Sequence, residues 1–561
     1  MATLPLVLFN PFETVQFTEL LRSLNPNYLP HILSMGCGID SLSLLIEYIE
    51  NPESRDFPLE NLIVVHAVVG GESIGTKRLM EEVFFPFCRQ HNIWVIQVCR
   101  NGEYEKDGIT ILASTRQPTK FYLRGDYCLF THLIMSGTVP QRGGNGRLCT
   151  LKFKGWVIDV VALLLFRDSP RQRYIGFNAD EAKRAKIESS ADEKSPYYLI
   201  GYNADETGRL KDKSFGNQQA YDYAIGFNAD EAGRIKESQE RRQIFRFPLI
   251  EMGHGRQWCE ARVNEFVTRF TQGRITQGKK SFCVNGCPFS ECNGKKRQRG
   301  NNTHGDLRQD WLNEPEYGGE AAFMEHIAIA INEHQPLYVK QLVLEILCET
   351  RNYAAIAHYE RLLAGAWISL VIPSYERLIA DAINVQANRK QTKKPESQRI
   401  AEFIERTEQQ IDYLNQGKTW AVYLVRRMFT RHSDLAKKDP KPFRQTRILF
   451  QGEQAECDRY LNELADHYDT VLQLNKLSRR FWTIKRPTGK KPPRPFVEEM
   501  LVVCPAVVIQ KQRIEPAEYD LKWLGITGTH PHILGVDTTH EQLISNRRIR
   551  VSRIRASLRS Q

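Results

Sequence analysis

The fold is decided by one stretch, His31-Ile32-Leu33-Ser34-Met35-Gly36-Cys37-Gly38-Ile39-Asp40-Ser41-Leu42-Ser43-Leu44-Leu45-Ile46-Glu47-Tyr48-Ile49. It reads as a short apolar strand, a turn of small residues and the start of a helix. Glycines let a backbone approach a ligand closely and adopt positive φ. Unpaired N–H groups at a helix start favour an anion. The hydroxyls of Ser34 and Ser41 can add hydrogen bonds to phosphate oxygens. Asp40 beside such a site points to a metal ion or to a structural hydrogen bond. The turn is not a Walker loop, because no Gly-Lys-Ser/Thr follows, and it lacks the third glycine of the dinucleotide fingerprint. A tight strand–helix connection without a ligand is the other reading of the turn taken alone.

Working outward, a helix is expected over Thr14 to Leu24. Asn61 to Val69 is a β-branched run that suits a parallel strand buried on both faces. Gly70-Gly71-Glu72 ends it, Thr76 to Arg89 reads as a helix, and Asn92 to Val98 as a third strand. The order βαβαβ predicts an α/β fold with a doubly wound, mostly parallel sheet and ligands outside the carboxyl ends of its strands. Residues 100–145 are poorly patterned and read as substrate-facing loops. Then comes Arg147-Leu148-Cys149-Thr150-Leu151-Lys152-Phe153-Lys154, before an apolar helix from Trp156 to Phe166. Arg147, Lys152 and Lys154 can neutralise phosphate or sulfate oxygens. Cys149 reads as a thiol nucleophile, a metal ligand or a small core residue.

An internal repeat follows. Ile175-Gly176-Phe177-Asn178-Ala179-Asp180-Glu181 returns at Ile200 to Glu206 and again at Ile225 to Glu231. Each copy carries an arginine three residues after its glutamate: Arg184, Arg209 and Arg234. The spacers are polar, which argues for a duplicated site element rather than a solenoid. Farther on, Cys283, Cys287 and Cys292 lie in one loop with Pro288 and Gly286. Three thiols can wrap one ion or cluster, and Cys149 or Cys259 could supply a fourth. The spacing is not that of a standard zinc finger. A [4Fe–4S] cluster, zinc, redox-active thiols and plain structural cysteines all stay open.

The chain has 561 residues, so two or three domains are expected. Our division is 1–300 for the domain that carries the glycine turn, with a repeated insert at about 174–236; 301–480 for a helical domain, in which 397–429 reads as a long helix pair; and 481–561 for a basic region of mixed structure. A net charge of +11 favours a polyanionic partner mildly. The excess is local, at Lys295 to Arg299, at Lys485, Arg486, Lys490, Lys491 and Arg494, and in the arginine-rich tail. Trp482, Tyr519 and Trp523 could stack bases or simply be core aromatics. No run of about eighteen apolar residues suggests a membrane span, and no basic leader precedes the apolar start, so no membrane association and a cytoplasmic location are expected.

Taken in order, these motifs resemble the phosphoadenosine phosphosulfate (PAPS) reductase-like branch of the N-type ATP pyrophosphatase, or adenine nucleotide alpha hydrolase-like, superfamily over about residues 25–295. Ser-x-Gly-x-Gly-x-Asp-Ser is similar to that superfamily's pyrophosphate-binding PP-loop. Glu72 and Thr76 match its second strand end, Arg-x-Cys-Thr-x-x-x-Lys its third motif, and Gly-x-x-Ala-Asp-Glu-x-x-Arg the repeated element. The chain departs from the pattern at Ala67 to Val69, where the family often has an aspartate, at Ile39, where many ATP-using relatives have lysine, and in its Cys-x-x-x-Cys-Pro. The resemblance implies ATP with Mg2+ held by Ser34, Gly36, Gly38, Asp40 and Ser41, assisted by Glu72, Thr76, Glu181, Arg184, Glu231 and Arg234. It implies catalytic roles for Asp40, Ser41, Arg147 and Lys152, and a cluster or zinc on Cys149, Cys283, Cys287 and Cys292. Three functions follow from it: an adenylating enzyme for sulfur transfer to DNA or tRNA, fed by a sulfur-donor protein; a reductase of PAPS or its unphosphorylated analogue; and a non-catalytic nucleotide sensor or nucleic-acid binder. The reductase reading is weakened because no Glu-Cys-Gly-Leu-His-type motif occurs.

Overall fold

The computed structural model describes residues 21–28, 30–140, 148–165, 172–175, 197–200, 222–225, 248–278, 283–288, 307–338, 341–388, 394–430, 443–475, 477–487, 494–510 and 516–528. The chain forms two compact units. One comprises 1–133, 140–322 and 337–359; the other comprises 134–139, 323–336 and 360–561.

The first unit is built on a mixed, mostly parallel sheet. Strand β1 (His31–Ser34) is followed by helix α1 (Ile39–Glu50), strand β2 (Leu62–Ala67), helix α2 (Ile74–Leu79), and strands β3 (Trp94–Arg100) and β4 (Ile109–Thr115). β1, β2 and β3 are parallel neighbours, with Ile32 opposite Ile63 and Val64 opposite Val95. β4 returns antiparallel on the outer edge. Alternation along the strands sorts side chains onto two faces. Leu33, Val64 and Val95 join one core with Leu42, Leu45 and Ile46 of α1, while Ile32, Ile63 and Ile96 join another with Val157, Ile158 and Val161 of helix α3 (Trp156–Leu165). Helices therefore cover both faces, which is why β1 to β3 are buried at every position.

Helix α4 (Arg256–Phe270) lies along α1 and is pinned by ion pairs. Arg256 pairs with Asp40, Arg262 with Glu47 and Glu50, and Arg269 with Glu50. The pairs advance in the same sense along both helices, so the two run parallel. On the other edge of β1, one short strand from each repeat copy, β5 (Gln172–Ile175), β6 (Tyr197–Ile200) and β7 (Asp222–Ile225), joins in parallel register. β5 and β6 both pair with Leu33, through Tyr174 and Leu199, which are equivalent positions of the repeat.

Three expectations change here. The helix read at 76–89 is interrupted by a wider turn, Met80–Phe84. Pro86, at the start of the following helix Phe85–Gln90, has no N–H to continue the ladder. Residues 100–145 are not all loop, since they hold β4 and the helix Leu129–Met135. β4 is a half-exposed edge strand, so its pattern is weakly apolar. The boundary near 300 also moves: Leu307 to Ala322 and Leu337 to Tyr359 belong to the first unit.

The second unit is a correction to the helical domain read at 301–480. After helices α5 (Pro315–Ile331, whose last part lies in this unit), α6 (Ile368–Asn388) and α7 (Lys394–Asn415), the chain enters an antiparallel sheet. It consists of β8 (Trp420–Phe429), β9 (Phe443–Gly452), β10 (Gln473–Asn475), β11 (Ser478–Ile484) and β12 (Phe496–Pro505), in the order β10-β11-β12-β8-β9. The long helix pair read at 397–429 is thus one helix and one strand. Its second half, Trp-Ala-Val-Tyr-Leu-Val-Arg-Arg-Met-Phe, is β-branched and aromatic, as a fully buried central strand requires. Helix α8 (Gln454–His467) packs Cys457, Leu461 and Leu464 on one face of this sheet, against Val422, Leu424, Phe481 and Leu501. Tyr519 and Trp523 of helix α9 (Pro516–Thr527) are buried against Met428 and Val497 as core aromatics, so they do not offer faces to bases.

Candidate functional site

The site is assembled at the carboxyl ends of β1 and β2, where open α/β sheets place ligands. Cys37 takes φ of 55°, bending the chain so that Gly38 can cap α1. That cap offers no side-chain hydrogen bond to the helix. Ser41 Oγ donates to the Gly38 carbonyl at 3.0 Å, and Ser43 Oγ to the Asp40 carbonyl at 3.0 Å, so both hydroxyls hold the turn. Ser34 is buried at the end of β1.

Asp40 has a definite partner. Arg256 Nη1 donates to both of its carboxylate oxygens at 3.1 Å, with the two side chains only 13–16% exposed. Of the roles its residue type allows, the structural one is realised.

The second wall is Gly70-Gly71-Glu72. Val284 N–H donates to the Gly71 carbonyl at 2.9 Å, and Asn285 Nδ2 approaches the Gly70 carbonyl at 3.4 Å. Tyr317 Oη donates to the Glu72 carbonyl at 2.7 Å, and Trp311 Nε1 to the Val284 carbonyl at 2.7 Å. These bonds fix the cysteine loop against the end of β2. Arg124 pairs with the buried Glu320, which also meets Asn285. Thr76 is buried and donates its N–H to Ser73 Oγ at 3.0 Å, so Ser73 caps α2 through it.

Electrostatic influence marks which groups lie within reach of one another. Burial, then Cys149, pushes the Cys283 thiol up, with Glu72 and Cys287 adding to the rise and Lys154 opposing it. Cys37 is pushed up by burial and Glu72, again opposed by Lys154. His66 falls to about 4 through burial, against its bond to Met35, with Lys154 lowering it further. Its Nδ1 donates to the Met35 carbonyl at 2.8 Å and lies 3.4 Å from Cys37 Sγ, leaving Nε2 without a hydrogen-bond partner among the described residues. Cys149, Cys283, Cys287, Glu72, Cys37, His66 and Lys154 therefore share one neighbourhood. His66 went unread in the sequence, although a lone polar residue inside Leu62–Ala67 was its signal.

Lys152 lies elsewhere, because residues two apart on a helical turn face away from one another. Its ammonium falls to about 7 through burial and Arg100, with Asp107 and Glu105 opposing. Arg100 is itself fully buried, donates to the Lys152 carbonyl at 3.1 Å and stacks on Trp156. Between pH 7 and the ordinary lysine value of 10.5 the unfolded chain binds the proton and the folded chain does not. Wild-type stability should therefore gain with rising pH across that window from this group. Lys152→Met should be more stable than wild type near pH 7 and show a shallower rise, as read by denaturant midpoints at pH 7, 8 and 9. Equal slopes would put Lys152 in water.

Arg147, Glu181, Arg184, Glu231, Arg234 and Cys292 lie outside the described residues. Among the described residues no three His, Cys, Asp or Glu side chains converge to hold a metal ion. No single described helix is long and apolar enough to cross a membrane. Comparison of the chain with protein-family models, with curated proteins and with solved structures finds no match.

Proposed function

We propose that this chain binds an adenine nucleotide at the turn between β1 and α1 and acts as an ATP pyrophosphatase-type adenylating enzyme, with sulfur transfer to DNA or tRNA as the chemistry it serves. The observation that carries this reading is the convergence of three elements on one sheet end: the side-chain-uncapped start of α1, the Glu72 turn, and the segment bearing Cys149 and Lys154. The positive end of a helix dipole and a nearby ammonium suit phosphate oxygens. In such a reaction an acceptor oxygen attacks the α-phosphorus. The bond to the bridging oxygen breaks, pyrophosphate leaves with the electron pair, and an adenylate forms. The chain's own part is to hold the β- and γ-phosphates and to offset charge as it moves onto the leaving group.

Mg2+ would arrive on the nucleotide, since Asp40 is engaged by Arg256. The thiols of Cys149, Cys283 and Cys287 are of the type that binds zinc or an iron–sulfur cluster, but their described arrangement does not form such a site. No step is therefore routed through a metal centre. The engagement of Asp40 favours one second reading, a nucleotide-binding protein without turnover.

The test is pyrophosphate release from ATP by anaerobically purified full chain, with and without DNA or tRNA. Release stimulated by nucleic acid is expected. Tight ATP binding with no release under either condition would leave the sensor reading in its place, and sulfite formed from PAPS would replace both with a reductase.

A further inference from the structure

The second unit carries a group of cations that the nucleotide site does not use. Arg427 on β8 faces Glu498 directly across on β12 and is in contact with its carboxylate. Arg480 on β11, only 4% exposed, contacts Glu333 through Nη2, while its Nε and Nη1 are enclosed with no hydrogen-bond partner among the described residues. Arg486 has no hydrogen bond or ion pair within 4 Å among the described residues, although it lies within electrostatic reach of Glu498 and Arg427. Its guanidinium stands 5.6 Å from the ring of Phe429 and 5.5 Å from that of Phe496, which stack on each other at 4.2 Å. Arg494 stands 5.8 Å from Phe429. His334, half exposed beside Glu333, is within electrostatic reach of Arg486, Arg427 and Arg480 together.

Three guanidinium groups, those of Arg427, Arg480 and Arg486, thus lie near two carboxylates, Glu498 and Glu333. A buried Arg–Glu pair accounts for Arg427 and Glu498, and a second accounts for one edge of Arg480. It does not account for the two remaining donors of Arg480 or for Arg486. Guanidinium groups present donors in a planar fork that matches phosphate oxygens. The guanidinium of Arg486 lies within cation–π distance of both phenylalanine rings, an attraction that does not use its donors.

We infer that Arg480 and Arg486, backed by Arg427 and with His334 at the rim, form a second oxyanion site in the C-terminal unit, whose ligand is a phosphate group. It is separate from the turn at Ser34 to Ser41 and does not depend on ATP turnover. Two sources share this chemistry: the phosphodiester backbone of a nucleic acid, and a free phosphate or pyrophosphate ion.

The experiment compares wild-type full chain with Arg486→Ala and Arg486→Lys, without ATP. Anisotropy of a labelled single-stranded oligonucleotide is titrated at several salt concentrations, and thermal melting is followed with inorganic phosphate and with pyrophosphate. A backbone ligand predicts roughly tenfold weaker oligonucleotide binding by Arg486→Ala, with a slope of log affinity against log salt reduced by about 0.7, the value for one single-strand phosphate. Partial recovery is expected in Arg486→Lys, which keeps the charge but loses the fork. A free-ion ligand predicts instead that phosphate or pyrophosphate raises the melting temperature of wild type and not of Arg486→Ala. Arg480→Gln is the second variant, expected to behave alike if it folds. If folded Arg486→Ala matches wild type in oligonucleotide affinity, salt slope and anion stabilisation, the inference is overturned.

Discussion

Gly70→Ala is expected to leave little folded protein. Gly70 has φ of 95°, a conformation that costs an L-residue roughly 1–2 kcal/mol. Its added Cβ would also sit 2.3 Å from Cys128 Cβ and 3.5 Å from Cys128 Cα. That neighbour cannot retreat easily, because Cys128 is buried and the next N–H, of Leu129, donates to the Val69 carbonyl at 2.9 Å. Strain and overpacking together should exceed about 4 kcal/mol, at the far end of single-residue effects. Gly273 supplies the control. It has φ of 80°, and a Cβ there meets nothing within 4 Å. Gly273→Ala should cost only the backbone term, about 1 kcal/mol. Urea unfolding followed by near-UV dichroism separates the two. Equal midpoints for the two variants would mean that the end of β2 yields freely and does not hold Glu72 in place.

The legible part of this chain is the part whose signals are local. The strand–turn–helix at His31 to Ile49 shows its apolar periods and its glycines in sequence order, and the structure has β1, the turn and α1 there. The same holds for β2 and β3, whose runs are apolar throughout. What sequence could not carry is pairing at long range. Asp40 meets Arg256 across 216 residues, and no local pattern chooses that arginine from many. Glu72 is legible as a candidate, but its turn is held by Val284 and Tyr317, again from distant segments. β8 was hidden for another reason. It follows α7 after a four-residue connection, and its two adjacent arginines break the alternation of a half-buried strand. In the fold both arginines are buried by pairing with Glu498 and Glu499, one on each face of the sheet.

Lys154, rather than Lys152, is expected to carry the charge effect at the proposed nucleotide site. The motif Arg-x-Cys-Thr-x-x-x-Lys ends on Lys154, whereas the sequence reading keeps both lysines as anion ligands and gives the catalytic role to Lys152. The structure separates them by face. Lys154 acts on Cys37, His66 and Cys283, which belong to the glycine turn, β2 and the cysteine loop. Lys152 acts on His132 and is bounded by Arg100, Glu105 and Asp107. A cation aimed at a leaving pyrophosphate contributes more in a partly desolvated site than in water. Lys154→Ala should therefore slow pyrophosphate release by about 10²-fold, with Lys154→Arg recovering part of the rate. Lys152→Ala should change it only a few-fold, since its effect is on stability. Single-turnover release at saturating ATP reads the chemical step, and melting curves of each variant show whether folding was spared. A folded Lys154→Ala with wild-type release would remove this lysine from the phosphates. A matching loss in Lys152→Ala would place the reacting nucleotide on the Arg100 side of the segment instead.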